Sequence, residues 1–368
     1  MCSPPQTMHL QYYLYCHSYQ FKCGIIQQAF AKYPIGENWQ VDRFRAILVS
    51  RWERIFVVFS VFAAVAFFAV AIGLRIPGPP FRIGINPWLG YEPLLVARDA
   101  LALDPKIVRV VDMSSTTETI RALQNGILDA AALTLDEALL LKHSGTQIRV
   151  LLVADISNGA DAVVINPRAT EALSVQGARI AFEGKAMGAY MAARMIEKMS
   201  LHPNDVKLIE APIDRQERLY VSGEVDGVIT FDPIRTKLLS LGARQIFSSR
   251  DIPNEVLDVL VVRDQSLDSN PAAIRHLRDA WEFGRKKLVA LDPALAAGVT
   301  KRTGLSEPEL RAALKDIAFP NAEESETLIL GSGQRLAETS LKLWQIMQRY
   351  GISPSGAPTP MISGEVHR

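Results

Sequence analysis

From residue 81 onward, short apolar runs alternate with longer stretches in which apolar residues recur at helical spacing. Short apolar runs are typical of buried parallel strands, and the stretches between them predict helices, so the pattern indicates an α/β fold. The predicted strands occupy residues 82–85, 108–111 and 130–133 in a first copy and 179–182, 206–209 and 227–229 in a second. Helices should begin near Gly90 and Gly188, after the first strand of each copy.

A glycine and an aspartate recur in the same register in the two copies. Gly223 follows Gly126 by as many residues as Asp226 follows Asp129. Each glycine is expected at the left-handed position that ends a helix, where a Cβ would be penalised. The shared register predicts two lobes built on one plan, with two unrelated βαβ units as the alternative.

Ligands of open parallel sheets bind beyond the carboxyl ends of the strands. If the two lobes turn those ends toward each other, the loops line one cleft that closes about two hinge strands. The predicted ligand contacts are Trp88, Tyr91, Ser114, Ser115, Thr116, Thr134, Asp136, Asp155, Asp161, Glu183, Lys185, Thr230 and Asp232.

Several of these residues also have a purely structural interpretation. Trp88 and Tyr91 could pack inside their lobe instead of stacking on a solute. One of the hydroxyl residues in 114–117 is expected to cap the helix that follows, although a helix N-terminus can also hold a ligand. Asp161 could serve the hinge, and Lys185 could be an ordinary exposed lysine.

An uncharged apolar run over residues 55–74 precedes the repeat. A helix of that length would span a hydrocarbon core of roughly 30 Å. The arginines within residues 43–54 predict a cytoplasmic N-terminus and a body outside the cytoplasm. The run is therefore interpreted as a signal peptide or an inner-membrane anchor, with residues 75–80 as a stiff linker. Residues 1–54 are interpreted as an N-terminal segment that results from a mis-assigned translation start, with the true start near Val41 or Val49.

Composition narrows the class of protein. The 368 residues are 48% hydrophobic and 21% charged with a formal net charge of +1, which fits a globular chain without a nucleic-acid partner. The cysteines are Cys2, Cys16 and Cys23, so the body has no thiol for catalysis, metal binding or disulfides. We find no histidine–carboxylate metal motif and no nucleophile or phosphate-binding motif. We therefore predict neither an enzyme nor a cofactor.

Several stretches of the sequence resemble those of one known family. Trp88-Leu89-Gly90-Tyr91-Glu92-Pro93, together with residues 122–131 and 155–161, resembles the first lobe of nitrate/sulfonate/taurine-type ABC-transporter substrate-binding proteins. Residues 222–226 and Thr230-Phe231-Asp232-Pro233 fit the second lobe. The resemblance covers about residues 81–350. One departure is Asp232, because the family often has an aromatic residue before this proline.

The resemblance implies a type II periplasmic-binding-protein fold with mostly parallel sheets flanked by helices. Lobe 1 would comprise residues 81–165 and 257–368, and lobe 2 residues 166–256. The chain would cross after residues 161–165 and return along 258–262. The helices within 271–291 and 331–350 would pack mainly on lobe 1.

The same resemblance implies the role of an extracytoplasmic, monomeric binding protein that delivers a small solute to an ABC permease and its ATPase. The predicted contacts include five acidic residues, Asp136, Asp155, Asp161, Glu183 and Asp232, against a single Lys185, so a neutral or amine-bearing solute is as well supported as a sulfonate. The alternatives are an enzyme on this fold, such as a pyrimidine-precursor synthase, and a membrane-tethered sensor.

Overall fold

A computed structural model describes residues 51–52, 54–68, 78–167, 175–184, 187–331 and 335–361. The chain divides into two units, Met1–Gly78 and Pro79–Arg368. In the first unit, residues 54–68 form a helix with exposed apolar side chains. A search of the described helices finds none with both the length and the apolar character needed to cross a membrane. The remainder of the predicted apolar run, residues 69–74, lies outside the described residues, as does nearly all of the segment before it.

The second unit contains two β-sheets. Its strands are β1 (Phe81–Ile85), β2 (Val108–Asp112), β3 (Ala130–Thr134), β4 (Ile148–Ser157), β5 (Asp161–Ile165), β6 (Arg179–Phe182), β7 (Lys207–Glu210), β8 (Gly227–Phe231), β9 (Arg244–Ser248), β10 (Leu257–Arg263) and β11 (Ile317–Ala318). The first sheet has the order β11-β4-β10-β3-β1-β2 and the second the order β7-β6-β8-β5-β9.

The helices of this unit lie between and after the strands. They are α1 (Glu92–Asp99), α2 (Thr116–Gln124), α3 (Leu135–His143), α4 (Met187–Lys198), α5 (Ile213–Val221), α6 (Ile234–Ser240), α7 (Asp264–Ser269), α8 (Pro271–Val289), α9 (Pro293–Thr303), α10 (Glu307–Leu314), α11 (Ala322–Leu330) and α12 (Arg335–Arg349). Short 3-10 helices cover Leu89–Tyr91, Pro203–Asp205 and Ser249–Asp251. The α/β architecture with two sheets is thus confirmed.

Both sheets are mixed, which corrects the expectation of mostly parallel sheets. In the first, β1 pairs in parallel with β2 and β3, whereas β10 is antiparallel to β3 and β4. In the second, β6 pairs in parallel with β7 and β8, whereas β5 is antiparallel to β8 and β9. The reason is connectivity, because β5 and β10 each follow a crossing from the other sheet. Each of them therefore starts beside the carboxyl ends of its neighbouring strands and runs antiparallel to them.

The crossing lies earlier in the chain than the sequence suggested. Because β5 belongs to the second sheet, the chain leaves the first sheet between β4 and β5, before Asp161 and not after Ile165. The run 161–165 is a fully buried strand, and its hydrophobicity alone does not say which sheet it joins. The return along β10 agrees with the expectation.

The repeat is visible in matching contacts of the two sheets. Gly126 and Gly223 both have left-handed backbones, with φ of 70° and 74°, just past the ends of α2 and α5. The backbone amide of Arg179 donates to Asp226 Oδ2 at 2.9 Å, as that of Arg82 donates to the carboxylate of the first-copy aspartate at 2.8 Å. Both glycines therefore do what the sequence predicted.

The C-terminal helices cover the first sheet, as expected. Helix α8 packs on α1, α11 on β4, and α12 on α3. The contact between α8 and α1 depends on Gly284, because a Cβ there would collide with the carbonyl oxygen of Pro93. This layer holds the loop before α1, which carries Trp88 and Tyr91, against the first sheet.

Candidate functional site

The carboxyl ends of strands from both sheets meet in one buried junction. The backbone amide of Leu89, after β1, donates to the carbonyl oxygen of Asp232, after β8, at 3.2 Å. The rings of Trp88 and Phe231 meet edge to face with centroids 5.5 Å apart. Because each pair joins residues from different sheets, the two lobes touch across the predicted cleft.

Trp88 and Tyr91 reach the first sheet through hydrogen bonds to buried carboxyl groups. Trp88 Nε1 donates to Asp155 Oδ2 at 3.1 Å, and the Tyr91 hydroxyl donates to Asp258 Oδ1. Both aromatic side chains are buried. Gly90 lies between them, and a Cβ there would collide with the carboxylate of Asp155. Polar ends of the two rings are thus directed to carboxylates on β4 and β10.

Buried carboxyl groups converge at this junction from four elements. They are Asp136 and Glu137 at the start of α3, Asp155 near the end of β4, Asp161 at the start of β5 and Asp258 at the start of β10. Asp155 and Asp258 are cross-strand partners, and Thr134 pairs with Asp258 on the other side. The backbone amide of Thr134 donates to Glu137 Oε2 at 3.0 Å, which fixes the first turn of α3.

Three of these carboxyl groups have an oxygen without a hydrogen-bond partner among the described residues. The oxygens are Asp136 Oδ2, Asp155 Oδ1 and Asp161 Oδ2. Thr230 Oγ1, on β8, is also buried without a partner in that part of the chain. Buried polar atoms are nearly always hydrogen-bonded, so a group of such atoms facing one place marks a site for something else to bind.

Burial raises the pKa of these carboxyl groups because it disfavours the charged form. The pKa of Asp155 rises to about 8, mainly through burial and further through the negative charge of Asp161. Burial likewise raises the pKa of Asp161 to about 7, with Asp232 and Asp136 as the charged neighbours that add to it. Burial and the charges of Asp155 and Asp161 raise the pKa of Asp258. The junction is therefore an acidic site with protons to release near neutral pH.

Asp232 has its own partners within the second lobe. Its Oδ1 accepts from the backbone amide of Thr236 at 2.9 Å and from the hydroxyl of Thr236 at 2.6 Å. Its Oδ2 accepts from Arg235 at 3.1 Å, and Arg235 also contacts Asp316 at 3.0 Å. Both carboxylate oxygens thus hold the first turn of α6, and the peptide bond from Asp232 to Pro233 is cis.

The hydroxyl residues before α2 lie at the edge of the junction. Ser115 is the N-cap of α2 and accepts from the backbone amide of Glu118 at 3.3 Å, which confirms that one residue of this group caps the helix. Thr116 Oγ1 accepts from Asn86 Nδ2 at 2.6 Å, whereas Ser114 is exposed and donates to Glu118. Lys185 lies outside the described residues.

The structure adds site residues that the sequence did not identify. Asp258 and Glu137 belong to the carboxyl group, and Thr117 binds Glu183 across the lobes. The threonine and glutamate of the capping box at 134–137 were a usable signal for Glu137. No sequence signal pointed to Asp258, because its partners Asp155 and Tyr91 are distant in the chain.

A family model shows the family of the chain, and similar solved structures show its fold. The model of the NMT1-like family matches residues 76–301. The alkanesulfonate-binding protein SsuA from Xanthomonas axonopodis pv. citri, bound to MOPS, is similar with a TM-score of 0.64 and 15% identity over 76% of this chain and 96% of that one. The periplasmic aliphatic sulphonate-binding protein SsuA from Escherichia coli has a TM-score of 0.60 and 15% identity over 76% and 95%.

A third similar structure is the periplasmic nitrate-binding protein NrtA from Synechocystis PCC 6803, with a TM-score of 0.58 and 12% identity over 75% of this chain and 82% of that one. No curated protein sequence matches the chain. At these identities the likeness establishes the fold alone, which is the two-lobed α/β fold of type II periplasmic binding proteins.

Proposed function

Because the chain belongs to the NMT1-like family of nitrate/sulfonate/taurine-type binding proteins, we propose that it is the extracytoplasmic solute-binding component of an ABC importer. It captures a small solute between its lobes and delivers it to a membrane permease with its ATPase. The similar solved structures are of periplasmic binding proteins, which supports a role without chemistry. The body would act as a monomer.

One observation carries this proposal. The buried junction between the sheets contains polar atoms from both lobes that have no partner among the described residues, and Leu89 and Asp232 connect the lobes beside them. A plain interdomain contact has no need for such atoms, whereas a cleft that opens to admit a solute and closes on it does. The predicted contacts that meet there are Trp88, Tyr91, Thr134, Asp136, Asp155, Asp161 and Thr230.

The experiment measures lobe closure in the full chain. The edge strands β2 and β7 lie farthest from the crossing strands, so their separation changes most when the lobes move. Spin labels on Arg109→Cys and Lys207→Cys, with the native cysteines replaced by serine, report that distance. A low-molecular-weight extract of the source organism should shorten it, and an unchanged distance with every extract fraction would refute solute capture.

The apolar run at residues 55–74 completes the proposal. We infer that it directs the body out of the cytoplasm, as a cleaved signal or as an anchor. The support is its uncharged composition behind the arginines of residues 43–54 and the helix formed by its described part, residues 54–68. The lobe boundaries proposed from the resemblance are adjusted so that lobe 2 begins at Asp161.

A further inference from the structure

Several carboxyl groups of the junction are deeply buried although their hydrogen bonds are incomplete within the described residues. Asp155 is 0%, Asp161 3% and Asp136 5% exposed, yet each leaves one oxygen without a partner in the described part of the chain. An ionised carboxylate moved from water into a protein interior loses several kcal/mol unless donors or a counter-charge replace the water. The three oxygens come from three different elements, so a local structural purpose does not account for them together.

These groups act on one another electrostatically. Asp161 is influenced by Asp136 and by Asp232, and Asp155 and Asp161 both raise the pKa of Asp258. Such mutual effects put the carboxyl groups of α3, β4, β5 and β10 within electrostatic range of one another, around one place in the junction. The place is therefore one site with contributions from both lobes.

The Arg235 guanidinium, which lowers the pKa of Asp161, already forms ion pairs with two other carboxylates. Arg235 lowers the pKa of Asp161 only as a minor influence, and its guanidinium is held by Asp232 at 3.1 Å and by Asp316 at 3.0 Å. Trp88 Nε1 and the Tyr91 hydroxyl satisfy one oxygen each of Asp155 and Asp258 but bring no positive charge. When these carboxyl groups lose their protons, neither Arg235, Trp88 nor Tyr91 supplies a free counter-charge.

We propose that the solute is a small organic cation, whose ammonium or amidinium group donates hydrogen bonds to the free oxygen of Asp161 and to that of Asp155 or Asp136. This inference rests on the proposed function and specifies its substrate class. The indole N–H of Trp88 holds Asp155 Oδ2, so that the other oxygen of this carboxyl group stays available to the cation. The Thr230 hydroxyl is available to a second polar group of the solute.

Two other ligand classes fit the same residues less well. A sulfonate or nitrate would add negative charge beside carboxyl groups whose mutual repulsion already raises their pKa. A metal ion needs several ligands converging at short distance, and no group of three histidine, cysteine or acidic side chains in the described ranges is arranged to hold one. Directional N–H donors on an organic cation match oxygens that are spread over several elements.

The experiment separates the substrate class from the proposed function. A low-molecular-weight extract of the source organism is divided by ion exchange at pH 7.5 into cationic, neutral and anionic fractions. Each fraction is added to the full chain in mild detergent, and the melting temperature is measured. Benzylamine, benzyl alcohol and benzenesulfonate serve as defined probes of one shape and three charge states.

We expect the cationic fraction to raise the melting temperature and benzylamine to do so more than its two analogues. In Asp161→Asn the cationic fraction should need at least a ten-fold higher concentration for the same shift. The melting temperature of this variant without ligand should be unchanged or higher, because a buried charge is removed. A purely structural Asp161 would instead give a lower one. The control Asp279→Asn, on an exposed position of α8, should respond like the unmodified chain.

Stabilisation by the anionic or neutral fraction, and not by the cationic one, would overturn the organic-cation assignment and leave solute binding intact. If the anionic fraction stabilises and Lys185→Gln abolishes the effect, the site is of the sulfonate type. If no fraction stabilises the chain or shortens the distance between the spin labels, both the substrate class and the proposed function fail.

Discussion

Thr117, at the start of α2, donates to Glu183, after β6, through both its backbone amide and its hydroxyl, at 3.1 and 2.8 Å. The two residues belong to different lobes, so this pair joins the lobes at the edge of the cleft opposite the crossing strands. Glu183 was expected to contact the solute, and its Oε1 is instead occupied by Thr117 in the closed arrangement. We interpret the pair as a latch that favours closure.

Removing the latch should weaken binding without unfolding either lobe. For Glu183→Ala we expect about ten-fold weaker solute binding, which corresponds to about 1.4 kcal/mol, since closure loses two hydrogen bonds. The spin-label distance in the ligand-free chain should become longer or broader. Glu224→Ala is the control, because Glu224 is exposed in the same lobe and accepts a hydrogen bond from the neighbouring Ser222 hydroxyl. Equal effects of the two variants would contradict the latch.

Replacing Asp232 should destabilise the second lobe. Both of its carboxylate oxygens are occupied by Arg235 and Thr236, so Asp232→Ala removes the support of the first turn of α6 and one partner of a buried guanidinium. We expect a loss of about 2 kcal/mol or more in the free energy of unfolding, measured by urea denaturation. Asp232→Asn keeps an acceptor for Thr236 and should lose less. If Asp232→Ala unfolds at the same urea concentration as the unmodified chain, these contacts contribute nothing to stability.

The ligand-free chain should lose stability as pH rises through neutrality. The pKa of Asp161 is about 7 and that of Asp155 about 8 in the folded chain, against about 4 in an unfolded one. The folded form therefore holds protons that the unfolded form has released, and the resulting stability is fully present below about pH 4 and is lost progressively as pH rises from there to about pH 8. The neighbouring Asp136, Glu137 and Asp258 have pKa values raised in the same direction.

Thermal unfolding at pH 6.0 and 8.5 checks whether the stability of the ligand-free chain falls as pH rises. The melting temperature should be lower at pH 8.5, and the difference should be smaller in Asp161→Asn because one of the titrating groups is absent. Burial raises the pKa of Tyr91 further, so its hydroxyl stays protonated over this range. A melting temperature that is equal or higher at pH 8.5 would show that the buried carboxyl groups do not hold protons in the folded chain.

Export is tested by fusions on either side of the apolar run. A reporter that is active only outside the cytoplasm should be active when it is fused after Pro80, because the arginines before residue 55 keep the preceding segment inside. The same reporter fused after Arg54 should be inactive, and a cytoplasmic reporter should give the reverse pattern. Activity of the cytoplasmic reporter after Pro80 would show that the body is not exported.

The sequence by itself determined the parts of this protein that depend on local patterns. Apolar runs located the strands, and Gly126 and Gly223 located the helix ends where a left-handed backbone is required. The repeated register of Asp129 and Asp226 and the resemblance around Trp88 indicated two lobes and the family. These features are readable because each depends on residues that are close together in the chain.

Tertiary structure alone decided what each polar residue touches. Sequence could not distinguish Asp161, which leaves an oxygen free, from Asp232, whose oxygens are both taken, since both are aspartates at the edge of a buried strand. The pairing of Tyr91 with Asp258, and the membership of β5 in the second sheet, likewise follow from contacts between distant segments. The energy of a buried carboxylate depends on its burial and its partners, and those are fixed only when the two sheets meet.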